Sequence, residues 1–137
     1  MRLQIAAAAT PKLAAAAAFA AIPLIAMTGT ASAVTTHQYD NVKYVFCADT
    51  PGATNEVSYY DSYGRREQIN VSLPEAVGGS RHCGSLSYTE YEKYGSYVGS
   101  SISNTAAPYV YCSIWVNGVK VAESEDYSNY GYSSAFC

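Results

Sequence analysis

Four cysteines constrain the fold of this chain more than any other feature of its sequence. They are Cys47, Cys83, Cys112 and Cys137, and none follows another at the C-x-x-C spacing that many zinc sites use. An even number of cysteines in a small exported domain is typical of structural disulfides. Four cysteines can pair in three ways, and the sequence alone does not choose between them. The sequence therefore predicts two disulfides and no metal site.

The N-terminal segment has the organisation of an export signal. Arg2 and Lys12 carry positive charge, a run of mostly Ala, Leu and Ile follows, and the triplet Ala31–Ala33 matches an A-x-A cleavage site. The run is shorter than the roughly 20 residues needed to span a bilayer. We therefore predict a Sec-type signal helix over residues 1–33 and one mature domain over residues 34–137, secreted or in the cell envelope. The alternative is an uncleaved helix that anchors the domain in the membrane.

The rest of the chain is acidic and rich in tyrosine. The whole chain has a formal net charge of −3, and two of its basic residues lie in the predicted signal. An acidic surface without a lysine or arginine cluster argues against nucleic acid as a partner. All 14 tyrosines follow residue 33, and tyrosine favours strands in which its ring is half-buried and its hydroxyl is in water. The composition thus predicts a β-rich domain with an aromatic surface.

After the signal, the hydrophobic pattern has a period of two, broken by Gly, Pro, Asn and Asp, which predicts strands rather than helices. In residues 67–73, Ile69, Val71 and Leu73 share one face, as in a half-buried antiparallel strand. Residues 76–95 lack a clear period, and we predict an exposed strand and a loop there. Other strands are predicted over residues 42–47, 56–61, 97–103, 108–116 and 132–137. About seven short strands in one small domain predict an all-β antiparallel sandwich.

The C-terminal part contains the clearest strand pair. Asn117–Gly118 is a strong hairpin signal, because a type I′ turn needs positive φ at both central positions. The strand before it alternates between an apolar core face and an outer face that carries Trp115. The register of the turn predicts that Val119 and Val121 continue the core face. Trp115 would then be either covered by residues 88–97 or available to a partner.

Seven aromatic residues are the candidate contact residues of the domain. Four recur at every third position in and after the irregular segment, and three lie on the outer face of the strand before the hairpin. They are Tyr88, Tyr91, Tyr94, Tyr97, Tyr109, Tyr111 and Trp115. Exposed aromatic clusters mark contact surfaces, and Trp and Tyr dominate binding hot spots. We therefore predict a binding surface built from these side chains.

No pattern of residues predicts catalysis. His37 lies near the start of the mature chain, His82 adjoins Cys83, and no G-x-S-x-G motif surrounds a serine nucleophile. Acidic residues such as Glu90 and Glu92 lack the Asp/Asn-Gly loop that shapes a calcium site. We therefore predict a protein that is not an enzyme and that binds no cofactor or metal. A small secreted hydrolase or inhibitor is the alternative from another class.

Three blocks of the chain resemble the extracytoplasmic domain of the mycobacterial membrane protein small family, MmpS. They are NEVSYYDSYGRREQINVSLP (Asn55–Pro74), CSIWVNGVKV (Cys112–Val121) and the terminal Phe136-Cys137. Their order and spacing agree over roughly residues 42–137. The resemblance implies an immunoglobulin-like β-sandwich. It also implies a function, because members of the family assist large proton-driven exporters of the RND type, called MmpL, which move lipids and siderophores.

The expected protein is accordingly a non-catalytic accessory or binding domain outside the cytoplasm. Its expected partner is an RND-type exporter or an envelope lipid or protein. The alternative is a free secreted protein that recognises an envelope component or a protein partner through its tyrosine-rich surface.

The resemblance further implies the disulfide pairing, and the chain departs from the family pattern in three ways. Cys112 and Cys137 match the family's cysteine pair, which leaves Cys47 and Cys83 to each other. That second pair is additional, and residues 84–95 look like an insertion. Family members also keep their transmembrane helix, whereas this chain is predicted to lose it. Cleavage would remove the tether that holds such a domain beside an exporter.

Overall fold

The computed structural model describes residues 33–52 and 54–137, so the predicted signal helix lies outside the described residues except for its last position. Eleven strands and no helix form in this part of the chain. The strands are β1 (Val34–Thr35), β2 (Asn41–Ala48), β3 (Asn55–Tyr60), β4 (Arg66–Val71), β5 (Glu75–Gly78), β6 (Arg81–Thr89), β7 (Tyr97–Val98), β8 (Ser100–Asn104), β9 (Tyr109–Val116), β10 (Val119–Tyr127) and β11 (Ser133–Phe136).

Two antiparallel sheets contain most of the strands. One sheet has the order β10-β9-β2-β6-β5, the other has the order β11-β8-β3-β4, and β1 pairs with β7. The inner faces of both sheets contribute to one buried core, which includes Ile114 from β9 and Ile102 from β8. Tyr44 of β2 links the sheets, because its hydroxyl donates a hydrogen bond to the carbonyl oxygen of Tyr60 in β3 at 3.1 Å. The prediction of an all-β, antiparallel, disulfide-bonded fold is confirmed.

Each of the two disulfides has a different place in the fold. Cys47 and Cys83 lie directly opposite one another on the paired strands β2 and β6, with their Cα atoms 4.0 Å apart. Cys112 of β9 bonds to Cys137, which follows β11, and so joins the two sheets. This is the pairing that the family resemblance implied. Disulfides persist in oxidising surroundings, so the pair of bonds indicates an extracytoplasmic compartment.

The prediction of an exposed strand and a loop over residues 76–95 is confirmed for the exposed strand β5 and for the loop after Thr89, and it is wrong for β6, which is not an exposed strand. The first part of the segment belongs to β5 and β6, and β6 pairs along its whole length with β2 in the interior of the sheet. Gly84, Leu86 and Tyr88 face the core side of β6, opposite buried residues of β2. Because glycine and small polar residues share this strand with the apolar ones, its period of two is obscured. Only the residues after Thr89 form a loop.

Three side chains that the sequence places on the core face are exposed. Ile69 is 41 % exposed, because β4 is an edge strand and the side chain lies at the open margin of the core. Val119 and Val121 are 64 % and 42 % exposed. A β-bulge between Lys120 and Ala122 shifts the register, so that Ala122 takes the inward position that Val121 was predicted to fill.

A buried carboxylate fastens the first strand to the loop after β6. Glu90 is fully buried and accepts hydrogen bonds from the Thr36 hydroxyl at 3.2 Å, from the Glu92 amide at 2.8 Å and from the Ser96 hydroxyl. The Thr36 amide donates in turn to the Ser96 carbonyl oxygen at 3.0 Å. A buried charge is tolerated only when hydrogen bonds replace its water shell. We call this network the Glu90 clamp, and it sets the position of β1.

Candidate functional site

The seven predicted contact residues do not form one surface. The structure places them in three separate regions: the core side of β6, the loop and short strand after β6, and the outer face of the five-stranded sheet. Tyr88 lies on the core side of β6. Tyr91, Tyr94 and Tyr97 lie in the loop and short strand after β6, and the outer face carries Tyr109, Tyr111 and Trp115. The irregular segment therefore does not lie over Trp115, because its first tyrosine faces the opposite side of the sheet.

Tyr88 is half-buried and packs against the core, so it is not the freely exposed contact residue that the sequence predicts. Its ring packs against Tyr44 with centroids 6.1 Å apart, and the two hydroxyl oxygens are 3.5 Å apart. Burial raises the pKa of the Tyr88 hydroxyl. Such a side chain contributes to the packing around Tyr44 on the inner face of its sheet.

The loop tyrosines are exposed but dispersed. Tyr94 is 89 % exposed, and Lys93 lies over its ring at 5.5 Å. Tyr91 makes an edge-to-face contact with Tyr39, with centroids 6.5 Å apart. Tyr97 lies in β7 and lines a different cavity, of about 530 Å³, together with residues such as Tyr60. These side chains are accessible, but they do not converge on one concave site.

Tyr109 lies on the outer face yet is only 7 % exposed, which corrects its assignment as an accessible contact residue. The Arg81 guanidinium covers its ring at 3.8 Å from the centroid, a cation–π contact, and lies 3.7 Å from the Asp49 carboxylate. The Tyr109 hydroxyl donates a hydrogen bond to Glu125 at 2.7 Å. Burial raises the pKa of Tyr109 to about 12, and the bond to Glu125 acts in the same direction. Tyr109 is therefore part of the structure rather than of a contact surface.

This raised pKa predicts a loss of stability at alkaline pH. A tyrosine whose pKa is higher in the folded than in the unfolded state stabilises the fold below its ordinary value of 10.0. That contribution disappears as the pH rises towards about 12. We expect the free energy of unfolding to fall more steeply over this range in the natural protein than in Tyr109→Phe, measured by urea titration at each pH. Equal slopes for the two proteins would contradict this role for Tyr109.

Trp115 and Tyr111 are the two predicted contact residues that share an accessible concave site. Trp115 is half-buried, and its indole Nε1 donates a hydrogen bond to the Ser113 hydroxyl at 3.0 Å, which fixes the ring. The neighbouring strand β2 places Lys43 opposite Trp115 and Val45 opposite Ser113. These side chains surround an open groove of about 340 Å³ on the outer face of the sheet. Its lining residues are Asn41, Lys43, Val45, Tyr111, Ser113, Trp115 and Gly118, and we call it the Trp115 groove.

The charge of the Trp115 groove comes from a single lysine. Lys43 is the only charged residue in the lining, and it makes no salt bridge within the described part of the chain. The nearby Lys120 is paired with Glu123, which also accepts a hydrogen bond from the Tyr111 hydroxyl at 3.0 Å. Both bonds lower the pKa of Glu123, so this carboxylate stays ionised and neutralises Lys120. The groove thus presents one available positive charge on a domain whose net charge is negative.

Sequence reasoning missed the polar half of this site. Lys43 alternates with the buried Val42 and Tyr44, so the period of two already turned it outward. Its place beside Trp115 depends on the pairing of β2 with β9, which brings together residues that are far apart in the chain. No local signal encodes that pairing.

The two histidines lie in separate parts of the described fold. His37 lies 3.6 Å from Asp40 near the start of β2, and His82 contacts the Ser80 carbonyl oxygen on the β5–β6 hairpin. Over residues 33–52 and 54–137, no three His, Cys, Asp or Glu side chains are grouped as metal ligands would be. The same residues include no helix of the length and apolarity needed to span a membrane.

No protein-family model matches the chain, and no curated protein matches it either.

Proposed function

We propose that the chain is an extracytoplasmic, non-catalytic binding domain whose contact surface is the Trp115 groove. The observation that carries the proposal is the position of Trp115: it is half-buried on the outer face of a sheet whose other face supplies the core. The outer face of a sandwich sheet is ordinarily polar. A fixed indole beside an unpaired lysine, in a concave site, is typical of a contact surface.

The groove is also placed on a rigid part of the fold. It lies over β2 and β9, which are both interior strands of the five-stranded sheet. The disulfide Cys47–Cys83 connects β2 to β6, and the disulfide Cys112–Cys137 connects β9 to the end of the chain after β11. A ligand therefore meets a backbone that is already held in place and an indole of fixed orientation, which limits the conformational entropy lost on binding.

The family resemblance offers a second form of the same proposal, in which the groove contacts an RND-type exporter or its envelope lipid. It is supported by the inter-sheet pair Cys112–Cys137, which is the pair expected from the resemblance. An exporter gene beside the gene for this chain, and cross-linking of the groove to that exporter, would favour the accessory form. Binding to the envelope without any exporter would favour the free secreted form.

The test compares Trp115→Ala with Tyr94→Ala, which removes an aromatic side chain from an exposed loop. Fluorescently labelled exported protein is titrated onto washed cell envelopes of the producing bacterium. We expect Trp115→Ala to weaken saturable binding by about 10-fold or more, as for a hot-spot aromatic, and Tyr94→Ala to leave it unchanged. Trp115→Ala should lower the midpoint of thermal unfolding by no more than about 4–8 °C, the shift that corresponds to about 1 kcal/mol in a domain of this size, and Tyr94→Ala should leave it unchanged.

Two results would contradict the proposal. Unchanged envelope binding by Trp115→Ala would place the contact surface elsewhere. A loss of about 3–5 kcal/mol in the free energy of unfolding, as for a buried Trp removed from a core, would make Trp115 a structural residue.

A further inference from the structure

We infer that the Trp115 groove binds acidic sugars, namely the uronic acid units of a polysaccharide, through Trp115 and Lys43. The inference rests on the proposed binding function and names its ligand class. Three properties of the groove support it: the sign of its charge, the orientation of its aromatic ring and the strands that form its floor.

The charge of the groove selects an anion. Lys43 is the only charged side chain in the lining, and its ammonium group has no carboxylate partner within the described residues. Lys120, the other cation beside Trp115, is already neutralised by Glu123. One carboxylate on the ligand therefore matches the one charge that the groove leaves unpaired.

The aromatic ring suits a sugar because its orientation is fixed and because it lines the open groove. The hydrogen bond from Nε1 to Ser113 holds the indole over the sheet. Sugar rings carry axial C–H bonds that pack on such a ring, while their hydroxyl groups turn to its rim. There the Tyr111 hydroxyl donates to Glu123 and keeps a lone pair to accept a sugar hydroxyl. The Asn41 side chain also lines the groove and offers both a donor and an acceptor.

The strands under the groove argue against a peptide as the ligand. Peptides that bind sheets usually add a strand at an exposed edge. The groove lies over β2 and β9, which are both interior strands with partners on each side. Their backbone groups are already paired, so recognition here depends on side chains alone. The volume of about 340 Å³ is near the lower end of small-molecule sites, which suits one or two sugar rings.

The fluorescence of Trp115 allows a direct test, because it is the only tryptophan in the chain. The probes are tetramers of galacturonate, glucuronate and mannuronate, each compared with its methyl ester, which keeps the sugar and removes the charge. The variants are Trp115→Ala, Lys43→Met and the control Lys93→Met, which removes an equal charge outside the groove. Binding is measured by tryptophan fluorescence and, for Trp115→Ala, by calorimetry.

We expect at least one acidic tetramer to bind about 10-fold more tightly than its ester, the effect of one charge contact of about 1.4 kcal/mol. Lys43→Met should abolish that difference, Trp115→Ala should weaken both forms about 10-fold, and Lys93→Met should change neither. Added salt should weaken binding of the acid to the natural protein and not to Lys43→Met. These results together would support the inference.

Three results would overturn the inference. The acid and its ester could bind with equal affinity, none of the tetramers could bind, or tetraglutamate at equal concentration could displace the tetramers. The envelope assay separates this failure from failure of the proposed function. If envelope binding still depends on Trp115, the domain remains a binding protein and only its ligand class is wrong. If neither assay depends on Trp115, the groove is not a binding site at all.

Discussion

Removal of the inter-sheet disulfide by Cys112→Ala/Cys137→Ala should lower the free energy of unfolding by about 4 kcal/mol. The bond closes a loop with a sequence separation of 25, for which the loop-entropy model gives about 3–4 kcal/mol. Cys112 is also completely buried in the core, so its shortening leaves a small cavity that adds to the loss. Guanidinium unfolding under oxidising conditions measures the change. A domain of this size has only about 5–15 kcal/mol of stability, so the variant should unfold near physiological temperature.

The matched control is Cys47→Ala/Cys83→Ala, which opens a loop with a larger sequence separation of 36. On chain entropy alone this second variant would lose slightly more stability than the first. We expect it to lose about 1 kcal/mol less, because its two strands stay paired along their length and belong to one sheet. A larger loss for the control would mean that loop length, rather than connection of the two sheets, determines the effect.

Where the period of two is uninterrupted, the sequence predicted the strands well. The strand before the hairpin alternates as expected, with Val110, Cys112 and Ile114 buried and Trp115 on the other face. The prediction failed after the turn, first at Val119, which is exposed at the start of β10, and then at Val121. A β-bulge adds one residue there and reverses the faces, and nothing in the local composition marks its position.

The failures at Tyr88 and Tyr109 have a different cause. Tyrosine is often exposed at a protein surface, but these two side chains are covered by residues that are distant in the chain. Tyr44 packs against Tyr88, and Arg81 covers Tyr109. Burial of a half-apolar side chain such as tyrosine is decided by what packs on it, not by its own chemistry. For the same reason, the sequence did not predict that Lys43 lies beside Trp115, because that prediction requires the order of the strands within the sheet.

Gly95→Ala should disrupt the Glu90 clamp and release β1 from the domain. A Cβ atom at Gly95 would lie 1.7 Å from the carbonyl oxygen of Thr36 and 2.6 Å from its carbonyl carbon, so the two backbones could not keep their positions. Thr36 cannot move alone, because its amide is bonded to Ser96 and its hydroxyl to Glu90. Separation would remove the Thr36 hydroxyl from the buried Glu90 carboxylate, and the loss of one of its three donors carries a desolvation cost. We expect a loss of about 3 kcal/mol or more in the free energy of unfolding.

The control for this variant is Gly79→Ala, because Gly79 also has a positive φ, of 58°, and its added Cβ would meet nothing within 4 Å. That change costs only the left-handed backbone strain of alanine, about 1–2 kcal/mol. Gly95→Ala carries the same strain at a φ of 70°, so the difference between the variants isolates the clash with Thr36. Hydrogen exchange gives the second measurement: the amides of Thr36 and Ser96 should lose protection in Gly95→Ala and keep it in Gly79→Ala. If both variants lose equal stability and both amides stay protected, the clamp does not hold β1, and the buried carboxylate of Glu90 only orders its own loop.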